Sequence, residues 1–305
     1  MDNQNWKLVN CNLCGASDYK KIFTDKTICD GKLVLFDTVK CRKCGFIFNN
    51  PLNIKGAGYS FEDIQDIFKQ AQWEINHKKD IYFYALNLLE KIDNSQGRAL
   101  LDIGCACGAF LDIARLFGFK TKGIELSKGQ AEYAQKQLNL DVLLSATVEP
   151  LLAEHKGFFN VVTMWDVLEH IPDPKSALNS IHNLLSDDGI LMLKIPNSYF
   201  QISKARLARL LFPRMNKVLG AGDHVVHFTK KSIQQILKAT DYEVIKLENS
   251  QWDRSLYSPF SVFQKTYYDL AFLIEKIFKI QIGNYYFVMA KKISKQQSNK
   301  AEKRN

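Results

Sequence analysis

The stretch Ala99-Leu100-Leu101-Asp102-Ile103-Gly104-Cys105-Ala106-Cys107-Gly108-Ala109-Phe110 constrains this chain more than any other. An apolar run closing on an acid, then small residues, then a fresh apolar start reads as strand, tight loop and helix. Small residues suit a loop whose backbone takes left-handed angles or lies close to a ligand. A helix opening near Gly108 would aim its amide dipoles at whatever sits on that loop.

A dinucleotide fingerprint asks for glycine at 104, 106 and 109, where this chain has Gly104, Ala106 and Ala109. The register instead resembles the first motif of class I S-adenosylmethionine-dependent methyltransferases. That motif has an acid, one apolar residue, then small residues at the first, third and fifth loop positions. Here they are Asp102, Gly104, Ala106 and Gly108, with Ala106 replacing the central glycine. Taken alone, the same turn also suits a structural βα unit, so later residues decide.

Thr121-Lys122-Gly123-Ile124-Glu125 reads as a second strand ending in an acid 21 residues past Gly104. A carboxylate there can accept both ribose hydroxyls of an adenosine, in this family or in a nicotinamide enzyme. Its bland reading is a solvated acid at a strand end. Ser127 is placed to cap the helix that follows. After a third strand, Asp141–Ser145, the resemblance carries adenine contact to Ala146 and Thr147.

The decisive segment is Phe159-Asn160-Val161-Val162-Thr163-Met164-Trp165-Asp166-Val167-Leu168-Glu169-His170-Ile171-Pro172-Asp173-Pro174. A buried strand running into an acid, a Glu-His pair and two prolines resembles the ubiquinone-biosynthesis-like and sugar C-methyltransferase groups. The resemblance implies an α/β fold: a doubly wound, Rossmann-like, seven-stranded sheet with its last pair antiparallel. It also implies S-adenosylmethionine as cofactor, held by Asp102, Gly104, Cys105, Ala106, Gly108, Glu125, Leu126, Ala146, Thr147, Trp165 and Asp166. Glu169 and His170 would lie near the transferable methyl. A fifth strand, Ile190–Ile195, is expected after a tight turn at residues 186–189.

Ahead of this core stand Cys11-Asn12-Leu13-Cys14-Gly15 and Cys41-Arg42-Lys43-Cys44-Gly45, with 26 residues between the pairs. Cys11, Cys14, Cys41 and Cys44 supply the four thiolates that tetrahedral zinc prefers, and each glycine lets its turn wrap toward the sulfurs. Residues 32–40 read as a strand entering the second pair. The pattern is similar to a zinc ribbon over residues 1–58. With all four ligands from protein the site is closed and structural, and the metal would make up for a small core. Cys29 falls outside the pattern. Residues 59–96, a lid or linker, show helical spacing that suits packing on the core; the resemblance implies that such helices cover the cofactor, with Tyr59 or Phe68 touching it.

Residues 97–292 form the main domain, with substrate-side insertions at 198–230 and 250–283. Phe200 to Val218 is amphipathic and basic, suiting an anionic substrate, a membrane surface, or packing on the domain. Gly222-Asp223-His224-Val225-Val226-His227-Phe228-Thr229 precedes a helix that Thr229 would cap. Imidazole suits proton removal near neutral pH, so His224 is the first candidate general base and His227 the second. Mutual hydrogen bonding within the loop is the competing reading. A catalytic metal here would need a third ligand that the sequence does not place. Phe263 to Ile280 reads as an aromatic-rich helix suited to an acceptor wall, a dimer face or a membrane contact.

No run of apolar residues is long enough for a membrane span, and the N-terminus lacks a signal-peptide shape, so a cytoplasmic protein is expected. Of the formal charge of +9, residues 291–305 carry +5, and the polar, basic tail from Ser294 is expected to be disordered. The rest is only mildly basic, which argues weakly for nucleic acid. Three functions are left in play: a methyltransferase acting on a small molecule (a nucleotide-linked sugar, a polysaccharide precursor or a quinone-like lipid), an RNA methyltransferase, and a non-catalytic protein retaining the cofactor fold.

Overall fold

The computed structural model describes residues 6–29, 32–54, 64–92, 96–211, 224–250, 261–278 and 282–293. The expectations for Tyr59, for residues 212–223 and for the tail from Ser294 lie outside the described residues, as does the side chain of Cys29.

The N-terminal part contains β1 (Trp6–Lys7), β2 (Tyr19–Cys29), β3 (Lys32–Cys41), β4 (Ile47–Asn50) and β5 (Leu52–Asn53). The long helix α1 (Ile64–Ile92) leads into the repeating core: β6 (Ala99–Ile103), α2 (Ala109–Leu116), β7 (Lys120–Glu125), α3 (Lys128–Leu138), β8 (Val142–Leu144), α4 (Glu149–Leu152) and β9 (Phe159–Trp165). A single turn at Leu168–His170 precedes α5 (Pro174–Leu184) and β10 (Leu185–Pro196). The chain closes with α6 (Ser198–Leu211), β11 (Val226–His227), α7 (Lys230–Lys238), β12 (Tyr242–Asn249), α8 (Ser261–Phe278) and β13 (Tyr285–Lys292).

Seven strands form one sheet in the order β12-β13-β10-β9-β6-β7-β8. The five strands from β10 to β8 run parallel, while β13 is antiparallel to both β10 and β12. This is the doubly wound sheet the sequence leads one to expect. Because β6 is followed by β7 on one side and β9 lies on the other, the strand order reverses between β6 and β9. Ligands bind at such a reversal, beyond the carboxyl ends of the strands. All five residues of β6 are buried, as parallel strands covered on both faces must be.

The expected turn at residues 186–189 is absorbed into β10. Leu185 pairs with Phe159 and Ile190 with Val161, and the register shifts between them, so the extra residues bulge from a continuous strand. Thr229 caps α7 through a reciprocal capping box with Ser232. Ser127 occupies the N-cap of α3 without a side-chain capping bond; its amide donates to Glu125 Oε1 at 2.7 Å instead.

The sulfur-rich segment is built into the domain. β2 and β3 form a long hairpin, and its sheet has the order β11-β4-β3-β2. The fourth strand, β11, comes from far along the chain, pairing Val226 with Phe48 and His227 with Ile47. Cys11, Val39, Phe46 and Phe48 therefore share an apolar core with Val225, Val226, Phe228 and Ile233. No described helix is long and apolar enough to cross a membrane.

Candidate active site and metal centre

The turn after β6 takes left-handed angles at alternate residues: Gly104 at φ +72°, Ala106 at +49° and Gly108 at +84°. At Gly104 a Cβ would stand 2.5 Å from Val167 Cγ2, and at Gly108 2.5 Å from Leu140 Cδ1. Both glycines are therefore required twice over, by angle and by space. Ala106 bears the strain of a left-handed L-residue.

Glu125 closes this loop from the end of β7. Its Oε2 accepts from the Ala106 amide at 2.8 Å and its Oε1 from the Ser127 amide. The carboxylate thus faces the loop while being almost fully buried. Burial raises its pKa, and the amides of Ser127, Ala106 and Leu126 oppose that shift. Asp102 lies beneath the loop, accepting from Thr163 Oγ1 at 2.6 Å; desolvation pushes its carboxyl well above the usual range.

Other expected cofactor residues fall in different settings. The Cys105 side chain points into the core against Gly123. Leu126, Ala146 and Thr147 are exposed at the strand ends. Trp165 is buried in an aromatic layer, its ring 5.0 Å from Phe110 and 5.3 Å from Tyr82.

Asp166, at φ +59°, carries a charge network not legible beforehand. Lys194 Nζ reaches both its oxygens at 2.8 Å, and Lys78 Nζ from α1 lies 3.0 Å away. Desolvation opposes its ionisation, but the two ammonium charges prevail and hold it well below the usual carboxylate range. Lys194 also sits 4.0 Å above the Tyr285 ring. One sequence signal was available: Lys194 interrupts the apolar run Ile190–Ile195.

Past Asp166, the single turn buries Glu169, neither of whose oxygens has a hydrogen-bond partner on another described residue. The Val225 amide donates to the Glu169 carbonyl at 2.9 Å. This brings His224 Nε2 to 4.0 Å from Glu169 Oε1 and the His224 ring to 5.0 Å from that of His170. Burial, with the charge of Asp166 adding to it, pushes Glu169 up to about 8. Glu169, His170 and His224 each place a donor atom within 4.8 Å of the others.

His227 is held elsewhere. It is buried, its Nε2 lies 3.1 Å from Asn49 Oδ1, and burial, aided by His224, depresses its pKa to about 3. It stays neutral in the seam with the N-terminal sheet while His224 faces Glu169. Asn49 is the node of that seam. Its side-chain amide donates to the His224 carbonyl at 2.8 Å, and its backbone amide to the Val225 carbonyl at 3.0 Å. Asn12 adds a hydrogen bond to the Pro172 carbonyl.

Cys11, Cys14, Cys41 and Cys44 converge, with all four sulfurs within 4.8 Å of one another. The Cys11–Cys44 and Cys14–Cys41 separations are 3.5 and 3.6 Å. Sulfurs at about 2.3 Å from a tetrahedral zinc stand roughly 3.8 Å apart, so the set fits that ion. Gly15 and Gly45, both at positive φ, each return an amide to the first cysteine carbonyl of their pair. Burial pushes Cys11 up to about 11. At Cys41, burial is outweighed by the Cys44 amide, the Cys14 thiol and the Lys43 amide, which bring it to about 7.

A family model described as a methyltransferase domain matches residues 59–247. The ubiquinone biosynthesis O-methyltransferase of Azotobacter vinelandii is 33% identical over 133 residues, covering 42% of this chain and 57% of that protein. The chain thus spans little more than half of that relative. The Vibrio campbellii protein of the same name is 28% identical over 202 residues, 63% of this chain and 82% of that protein. A crystal structure described as an S-adenosylmethionine-dependent methyltransferase from Listeria monocytogenes superposes with a TM-score of 0.51 at 16% identity, over 71% of this chain and 99% of that one; it bears on the fold alone. The domain match, covering more than half of the 305 residues, falls on the segment that supplies the glycine loop, Glu125 and the Glu169–His224 pair, and the chain belongs to the class I S-adenosylmethionine-dependent methyltransferases.

Proposed function

We propose that this enzyme methylates a hydroxyl group of a small-molecule acceptor, with His224 receiving the hydroxyl proton. One observation carries the reading: the loop joined to Glu125 and the pair of buried Glu169 and half-buried His224 lie beyond the carboxyl ends of neighbouring strands β6, β7 and β9. A cofactor lying along those ends would have its adenosine near Glu125 and its sulfur toward Glu169.

The cofactor supplies a methyl group on a cationic sulfur that is already activated. What remains for the chain is to orient the reactants and remove a proton. The amides and carboxylate at Ala106 and Glu125 seat the ribose. His224, anchored through Val225 to the Glu169 carbonyl, takes the proton, with the Glu169 carboxyl beside its ring. Oxygen is favoured over carbon or nitrogen because relatives such as the Vibrio campbellii protein, matched over 202 residues, are named O-methyltransferases. A quinone-like phenol or a sugar hydroxyl fits this chemistry. The four-cysteine centre holds zinc as a structural brace.

The test is to incubate the protein with methyl-labelled cofactor and a panel of phenolic, sugar-nucleotide and RNA acceptors, reading the methylated product by mass spectrometry. Label on a hydroxyl of a phenol or sugar supports the reading. Label on RNA, with binding that weakens steeply with salt, would replace it.

The spacing of Glu169, His170 and His224 favours a second reading, in which the three hold a divalent cation that polarises the acceptor oxygen. Metal analysis separates the two: one equivalent per chain fits the four-cysteine centre alone, two equivalents the second reading.

A further inference from the structure

Asn197 follows β10 directly and lies wholly inside the protein. A buried carboxamide must find partners for both of its ends. Its Nδ2 donates to the Gly283 carbonyl at 2.9 Å. Its Oδ1 accepts from Tyr286 Oη at 2.7 Å and from the Phe200 amide at 3.3 Å. The backbone is used as well: its amide donates to the Asn284 carbonyl, and its carbonyl accepts from the Gln201 amide. A carbonyl can only accept and an amide N–H can only donate, so these partners fix which way the carboxamide faces. Leucine, of similar size, would satisfy neither end, and an ionised aspartate only one.

Two hydrogen-bonded paths leave this residue. One runs to α8. The Gly283 amide donates to Asn249 Oδ1 at 3.0 Å, and the Asn249 amide donates to Glu275 Oε2 at 2.9 Å. A Cβ on residue 283 would stand 2.7 Å from Asn249 Oδ1, so the glycine lets the two come together. The other path runs through the first turn of α6, where Ser198 donates its amide to the Phe228 carbonyl at 3.0 Å. Phe228 directly follows β11. Asn49 holds the opposite end of that segment through the His224 and Val225 carbonyls. The segment carrying both histidines is therefore tied at each end, each time through a buried asparagine.

We infer that Asn197 is a positioning residue for methyl transfer: it seats α6, α8 and the Phe228 end of the histidine segment as one unit, and so sets where His224 stands. This rests on the role given to His224 above. Without that node, pieces far apart in the chain would each have to be ordered at their own entropic cost. The glycine loop is tied elsewhere, through Gly104 and Cys105 to the Ile124 carbonyl and through Ala106 to Glu125.

The test is amide hydrogen exchange read by mass spectrometry, beside calorimetry with S-adenosylhomocysteine and turnover on the acceptor that the panel above identifies. Asn197→Ala should speed exchange about 10- to 100-fold over residues 198–201, 226–228 and 282–284, the range for opening one or two buried hydrogen bonds. Exchange in β6 and β7 and affinity for S-adenosylhomocysteine should stay within about twofold, while kcat falls by at least about tenfold. Glu275→Ala, at the far end of the α8 path, should speed exchange at residues 198–201 several-fold. Lys276→Ala, its exposed neighbour, should not. Equal acceleration across the whole sheet marks Asn197 as a general stabiliser and overturns the proposal, as does acceleration confined to residues 282–284. Unchanged kcat despite faster exchange overturns it too. Should Asn197→Ala fail to fold, Glu275→Ala decides by the same reading of residues 198–201. The predicted exchange pattern, with no acceptor methylated by the wild type, overturns the hydroxyl reading and leaves the network standing.

Discussion

Cys41→Ser or Cys44→Ser abolishes metal binding and lowers methyl transfer by more than about 100-fold, while affinity for S-adenosylhomocysteine changes by no more than a few-fold. The apparent binding free energy of a structural zinc site is on the order of 10–16 kcal/mol, and that energy is folding energy. On the proposed zinc assignment that energy would hold a sheet whose last strand, β11, belongs to the methyltransferase domain. Once the knuckles open, Asn49 no longer fixes the His224 carbonyl or the Val225 carbonyl, and the histidine loses its place beside Glu169. The glycine loop and Glu125 are held by β6, β7 and α3, away from this seam. Zinc content, turnover and calorimetry on the same preparation make the test. A metal-free variant with wild-type turnover contradicts it. Asn49→Ala, which leaves the cysteines alone, should reproduce the loss of turnover in milder form.

His224→Ala lowers kcat by about 10²–10⁴-fold, the usual contribution of a positioned general base, and leaves cofactor affinity unchanged. His227→Gln behaves differently. His227 donates through Nε2 to Asn49 Oδ1 in a buried seam and has a pKa depressed to about 3, so near neutral pH it stays a neutral imidazole too weakly basic to take the acceptor's proton. Its replacement acts on loop placement and stability, without changing the pH at which activity falls on the acid side. On the proposed mechanism the base must be neutral to accept a proton, so removing it should remove the acid limb. If the limb persists unchanged in a residual-activity His224→Ala protein, the base lies elsewhere. If His227 variants shift the limb, the two histidines have exchanged roles.

The features legible in the sequence are those whose chemistry is contiguous. Asp102-Ile103-Gly104, Gly108 and Glu125 declare themselves because a strand, its turn and the next strand end lie within one βα unit. Each CxxCG knuckle is complete within five residues. Glu169 is adjacent to His170, and the buried strand before them points both at the sheet's carboxyl edge. What escaped depends on contacts between distant residues. Asn49 meets His224 and His227 across 175 and 178 positions, and nothing in the short Ile47–Asn50 strand announces that pairing. Strand β2 shows no clear alternation in the sequence because its charged residues, Lys20, Lys21, Asp25 and Lys26, mask it. Glu74 and Lys78 were hidden in the long amphipathic helix, where charged residues are ordinarily assigned to the solvated face. Their spacing from Ile67, Ala71 and Ile81 held the clue, since it puts them on the buried side.

The most direct test of the account is calorimetric titration of the wild-type protein and Glu125→Ala with S-adenosylmethionine and, in parallel, with NAD. The account predicts saturable binding of S-adenosylmethionine to the wild type, binding weakened at least tenfold by Glu125→Ala, and no uptake of NAD. Tight binding of NAD with none of S-adenosylmethionine would contradict it.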